Sequence, residues 1–303
     1  MIIAYDTPGQ LGNQLWAYSN LIAVAKENNV KSVIILQQNY FHLLDRKGLV
    51  EARKNKIYIL DAATFQARIY KKLCSLALKK SSALLRKCFA VQIINDGDKS
   101  LTETVANSKK KIYLVNAWEQ RIHTNSFIKE SGFIRSIILP EQKSRDMAEN
   151  RISQLRQSFD KIIAVHIRRG DYKEFLRGRF YFEDDIYLKK IRDTQKLLYT
   201  ANVCFAVFSN EKINLKNFEG IDISFKNTNT AIGDMWGISL CDYILGPLST
   251  FSMWASFWHN VPLLFIEKNT VIHSMEMFSP VIAQDLQKSG AVTSNELKEF
   301  LFK

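Results

Sequence analysis

Cysteine, proline and glycine are scarce, with 4, 5 and 12 of them in 303 residues. Cys74, Cys88, Cys204 and Cys241 are scattered, and no CxxC pair or Cys/His group occurs. That excludes a disulfide scaffold and a zinc site, and it points to a reducing compartment. So little proline and glycine, beside 47% hydrophobic and 24% charged residues, excludes disordered, collagen-like and low-complexity chains. The start reads as a strand rather than a leader, because Met1 runs directly into Ile2-Ile3-Ala4-Tyr5 without a basic opening. Residues 243–266 carry no charge, yet Gly246, Pro247, His259, Asn260 and Pro262 would strand polar groups in lipid. A buried strand, helix and strand are expected there instead.

What the chain does have is length for a core and a surplus of positive charge. At roughly 100 to 200 residues per domain it should form two, assigned to 1–150 and 151–303. A short last helix opening at Ser294-Asn295-Glu296-Leu297 is a candidate to return to the first domain. Lys and Arg number 42 against 30 Asp and Glu, a net charge of +12 that attracts phosphates on nucleotides, nucleic acid or an anionic membrane. The basic residues are dispersed and no RNA- or DNA-binding motif occurs, so no nucleic-acid partner is expected. Residues 68–90 are the exception to that dispersion, with Arg68, Lys71, Lys72, Lys79, Lys80, Arg86 and Lys87, no acidic residue, and Leu and Ile interleaved at helical spacing. They read as a solvated face, an acidic-acceptor groove or a peripheral membrane contact.

Strands and helices alternate, which predicts an α/β fold with parallel sheets. In the first half the pattern gives strands at Ile2–Tyr5 and Val33–Leu36, a helix from Asn13 to Asn28, a helical stretch from Asp61 to Ala90 and a β-like run from Lys111 to Trp118. A polar helical segment from Leu139 to Arg156 is the candidate crossing. The second half gives strands at Ile162–Ile167, Val203–Phe208, Ile221–Phe225, Tyr243–Leu245 and Leu263–Ile266. Helices at Asp184–Tyr199, Ala231–Cys241 and Thr250–His259 alternate with them. This half resembles a nucleotide-binding domain.

Four constellations carry possible chemistry. Gly9-Gln10-Leu11-Gly12-Asn13-Gln14 follows the first strand and opens the first helix, as an anion or sugar-hydroxyl site or a plain turn capped by Asn13. His166-Ile167-Arg168-Arg169-Gly170-Asp171-Tyr172 follows an apolar strand, so an imidazole and two guanidinium groups reach the sheet edge where open α/β sheets bind ligands. The Arg fork grips phosphate oxygens bidentately. The plainer alternative pairs Arg169 with Asp171 and buries His166. Phe208-Ser209-Asn210-Glu211 can bind ribose or phosphate, or simply turn the chain. Ser249, Thr250 and Ser252 open a helix beside Phe251, as a phosphate seat or a cap, with Trp254 and Trp258 reading as core. Glu183-Asp184-Asp185 precedes a helix and suits its dipole better than a metal.

Taken together, Gly12-Asn13-Gln14, His166 through Tyr172 and Ser249 through Trp254 resemble family 11 glycosyltransferases, the inverting α-1,2-fucosyltransferases that use GDP-fucose. The resemblance implies a GT-B-like pair of Rossmann-like domains facing across a cleft, a donor held mainly by the second, and no cofactor or metal. It implies that Arg168 grips the diphosphate. The acceptor hydroxyl must also shed a proton, and Asp171 and Asp6 are the candidate carboxylates for that role. The resemblance further implies that His166, Arg169, Ser209, Asp234, Ser249, Thr250, Phe251 and Ser252 line the nucleotide, and that Gly12, Asn13 and Gln14 close from the other side. The acceptor would be a glycan or lipid-linked oligosaccharide, and the location cytoplasmic or peripheral on the inner membrane surface. Asn210-Glu211 and Met253 depart from the family pattern, as does Pro8-Gly9-Gln10, which leaves the sugar, acceptor and linkage open. Another GDP-sugar, or a non-catalytic sugar-nucleotide or nucleic-acid binder, is the alternative.

Overall fold

A computed structural model describes residues 1–94, 101–107, 111–120, 125–225, 228, 230–269 and 271–281. The chain divides into two compact units, the first Met1–Glu141 and the second beginning at Gln142. The last helix expected at Ser294–Leu297 lies outside the described residues.

In the first unit the strands are β1 (Ile2–Ala4), β2 (Ser32–Leu36), β3 (Ile57–Asp61), β4 (Val91–Ile94) and β5 (Ile112–Val115). They form one sheet in the order β3-β2-β1-β5-β4, with every pairing parallel. Burial on both faces makes β2 entirely buried, which is why its sequence is a continuous apolar run without alternation. The helix Leu11–Glu27 follows β1 and is buried along most of its length. The expected helical stretch 61–90 is corrected: Asp61 ends β3, and the rest divides into helices Phe65–Leu78 and Ala83–Cys88 joined by a short 3-10 turn.

The second unit contains β6 (Lys161–Ile167), β7 (Val203–Ser209), β8 (Ile223–Phe225), β9 (Tyr243–Gly246) and β10 (Leu263–Phe265). Their order is β10-β9-β6-β7-β8, again all parallel. Counted within the unit this is 3-2-1-4-5, the first five positions of the doubly wound 3-2-1-4-5-6 order. Ile163, Val165, Phe205, Val207 and Leu245 are almost wholly buried in its core, each contributing about 1.5 to 3 kcal/mol. Trp254 and Trp258 are core residues, as their spacing predicts.

The charge-free stretch 243–266 is β9, the helix Thr250–His259 and β10. Asn260 ends that helix in the left-handed region, at φ 55°. Among the described residues no helix is long and apolar enough to cross a membrane.

Candidate active site

The polar motifs of the second half converge because β6, β7 and β9 are parallel and end at one edge. The direction of winding reverses between β6 and β9, and open α/β sheets bind ligands outside such a switch point.

His166 ends up buried there. Its Nδ1 lies 2.6 Å from the Oγ of Ser252, and its ring stacks on Phe251 with centroids 5.0 Å apart and planes 30° from parallel. Burial first, then the charge of Arg168, pushes its pKa down to about 3. The imidazole is therefore neutral across the ordinary pH range and acts as a hydrogen-bonding group, not a proton shuttle. Gly246 makes this packing possible, since a Cβ there would sit 3.1 Å from both the His166 Cβ and the Ser252 Oγ.

Arg168 and Arg169 turn opposite ways, as successive side chains on an extended segment do. The Nη2 of Arg168 donates to both carboxylate oxygens of Asp171, at 2.8 and 3.0 Å, and its guanidinium lies 5.6 Å from the Tyr172 ring centre. Its side chain keeps 17% of its surface accessible and that of Asp171 keeps 50%. Arg169 points inward, donating from Nε to the Phe182 carbonyl at 3.2 Å and from Nη2 to Asp184. Arg169 and Asp171 are thus not the pair that the plainer reading expected. Gly170, at φ 62°, turns the chain between them.

Three further bonds fasten this turn to its neighbours. Asn210 receives the Arg169 amide at 3.0 Å and returns a bond to its carbonyl at 3.3 Å, and the Tyr172 hydroxyl donates to the Leu248 carbonyl at 2.6 Å. Ser209 lies at the end of β7, its Oγ receiving the Glu211 amide at 3.1 Å. Ser249 caps the helix Thr250–His259, its Oγ receiving the Phe251 amide at 3.2 Å. The Ser249 cap, Thr250, Phe251 and Ser252 therefore occupy the positive end of a helix dipole.

Asp234 lies in the first turn of the helix Ala231–Ser239 and accepts from the Thr228 amide at 2.7 Å and hydroxyl at 2.9 Å. Burial raises its pKa, against the opposing pull of Thr228 and of Arg151. Arg151 was not foreseen. Buried at 5% exposure, it donates from Nη2 to the carbonyls of Val207 and Ser224, both at 3.1 Å, and lies 4.2 Å from the Phe208 ring centre. Its Nε and Nη1 have no hydrogen-bond partner among the described residues. Its place beside Ala148 and Ile152 on the buried face of an otherwise polar helix, Gln142–Arg156, is the signal that could have found it.

In the first unit, Gly12, Asn13 and Gln14 lie in the first turn of the helix Leu11–Glu27. Asn13 is not its cap, because the helix starts two residues earlier and Gln10 holds the cap position, with no capping bond from its side chain. Gln14 is buried, donating to the Gly9 carbonyl at 2.8 Å and accepting from the Gln37 amide at 3.3 Å. Asp6 accepts from the amides of Ala117 and Trp118, at 2.6 and 3.1 Å, which ties the ends of β1 and β5 together. Among the described residues no three His, Cys, Asp or Glu side chains gather as a metal site.

Comparison with known families decides the class. The model of glycosyl transferase family 11 matches residues 5–272. This chain belongs to that family. A search of curated proteins returns no match. Among solved structures, POFUT1 in complex with GDP is similar at 13% identity and a TM-score of 0.54, over 87% of this chain and 97% of that one. A mutant of Arabidopsis thaliana FUT1 in complex with GDP follows at 9% identity and a TM-score of 0.54, over 88% and 70%. NodZ α-1,6-fucosyltransferase soaked with GDP-fucose has 14% identity and a TM-score of 0.51, over 88% and 94%. At these identities the likeness is one of fold, and it agrees with the α/β class and parallel sheets that the alternation of strands and helices predicts.

Proposed function

We propose that this family 11 glycosyltransferase moves fucose from GDP-fucose to a glycan hydroxyl, with inversion and in α-1,2 linkage, in cell-surface polysaccharide or oligosaccharide synthesis. The observation that carries this reading is the joining of His166, Arg168 and the Ser249–Ser252 helix start at the switch point between β6 and β9. A guanidinium and a helix N-terminus at one rim suit a diphosphate. The GDP and GDP-fucose in the solved proteins of similar fold support a guanosine donor.

In this reaction an acceptor oxygen attacks the anomeric carbon, the bond from that carbon to the phosphate oxygen breaks, and its electron pair leaves with GDP. Charge grows on the β-phosphate, so Arg168 and the amides at the start of the helix Thr250–His259 bind the transition state more tightly than the ground state. Asp171 orients the guanidinium and, being half exposed, is the carboxylate of this rim that can take the hydroxyl proton. Arg169 contributes its main chain, with its guanidinium holding the loop through Asp184. Ser209 and Asp234 are assigned to the nucleoside, and Gly12, Asn13 and Gln14 to the acceptor side. No cation is assigned, because Arg168 supplies the charge. The unpaired cysteines and the donor class suit a cytoplasmic setting.

The test is transfer from GDP-fucose to β-galactoside acceptors, with GDP release followed in time and the product linkage read by NMR. An α-1,2-fucosyl product supports the reading. Consumption of a different GDP-sugar with GDP-fucose untouched overturns the donor assignment.

A further inference from the structure

The helix Phe65–Leu78 is packed the wrong way round for an ordinary surface helix. It buries Ala67, Cys74 and Ala77 in the core of the first unit, with Tyr70 half-buried against that core, while Phe65 is 75% exposed, Ile69 42%, Leu73 55% and Leu76 38%. Positions 65, 69, 73 and 76 fall at successive three- and four-residue steps, so these large side chains make one outward stripe. The next helix adds Leu84 at 75% exposure, and Phe89 just beyond it is 63% exposed. A scattered exposed leucine needs no explanation, but an aligned row of large apolar side chains turned to solvent does.

The charge around the stripe says what covers it. Residues 62–94 contain no Asp or Glu, and Arg68, Lys71, Lys72, Lys79, Arg86 and Lys87 lie within this segment. Of these, Arg68, Lys71, Lys72, Lys79 and Lys87 are exposed. A second copy of this chain would bring the same cations against each other, and an acidic protein groove would not need so long an apolar row. We infer that this face docks on an anionic lipid surface, with Phe65, Ile69, Leu73 and Leu76 entering the headgroup boundary and the lysines and arginines meeting lipid phosphates. The contact is peripheral and reversible, and it would hold the first unit beside a membrane where lipid-linked acceptors are found. It stands apart from the transfer chemistry, which needs none of these residues.

Co-sedimentation of the full chain with vesicles tests it, using pure phosphatidylcholine and a mixture with phosphatidylglycerol at 150 mM salt. Binding to the anionic vesicles that exceeds binding to the neutral ones at least tenfold, and falls with rising salt, is expected. Lys71→Gln/Lys72→Gln should weaken it about thirtyfold, at roughly fivefold per charge removed. Leu73→Gln/Leu76→Gln should weaken it as well, with the melting temperature and GDP-fucose turnover in solution unchanged. Equal binding to both vesicle types, no binding to either, or a concentration-dependent dimer abolished by Leu73→Gln/Leu76→Gln would overturn the inference. Because turnover is read separately, failure here leaves the transferase assignment untouched.

Discussion

The imidazole Nδ1 of His166 and the hydroxyl of Ser252 are 2.6 Å apart in the buried floor of the second sheet's carboxyl edge. This bond joins the end of β6 to the helix that follows β9, and so fixes Arg168 relative to the helix N-terminus. Ser252→Ala leaves a buried nitrogen without its partner and should destabilise the protein by about 1 to 3 kcal/mol. Gly246→Ala should act on the same junction by steric pressure at 3.1 Å from both groups. Chemical denaturation of the two variants measures both effects.

The buried imidazole also makes the fold acid-sensitive. With a folded pKa of about 3 against 6.5 when unfolded, the unfolded chain binds a proton below pH 6.5 that the folded one does not. This contribution is complete above pH 6.5 and is lost as pH falls toward 3. Between pH 7.5 and 5 it removes about 2 kcal/mol. The wild type should therefore lose about that much more stability than His166→Gln over the same interval, by urea denaturation at the two pH values.

Arg168 and Arg169 should respond differently to substitution. Arg168→Ala is expected to lower kcat/KM for GDP-fucose at least a hundredfold, about 3 kcal/mol of transition-state stabilisation, with little change in folding. Arg168→Lys should recover little, because an ammonium cannot replace the planar fork. Asp184→Asn breaks the inward pair with Arg169 and should destabilise the fold by about 2 kcal/mol while the folded fraction keeps most of its turnover. Steady-state kinetics beside denaturation curves separate the two arginines.

If Arg168 supplies the charge at the diphosphate, a chelator should leave transfer unchanged. Turnover after EDTA treatment, with and without added manganese, checks this. A strong loss restored by manganese would contradict it.

The second unit was legible in outline because its signals are local. The helix Thr250–His259 is found over the residues expected, since Ser249 caps it and Asn260 ends it. β3 was missed for the opposite reason: its apolar run is short and has no period once both faces are covered, so the pattern assigns residues 57–60 to no element and starts a helical stretch at Asp61. The motif around His166 did not disclose the partners of its residues. Arg169 meets Asp184 only after a loop in which Leu176 and Arg177 both adopt positive φ, a turn that their side chains do not announce. The helical face shared with Ala148 and Ile152 marks Arg151 as inward-facing, but its bonds to the Val207 and Ser224 carbonyls depend on where the helix Gln142–Arg156 lies against β7 and β8, which spacing alone does not give.

Calorimetric titration of GDP into the wild type and Arg168→Ala tests the diphosphate seat most directly. The wild type should bind GDP with a 1:1 stoichiometry, and the variant should bind at least tenfold more weakly with its folding intact. Equal affinity in the two proteins would mean that the guanidinium beside Asp171 does not hold the nucleotide.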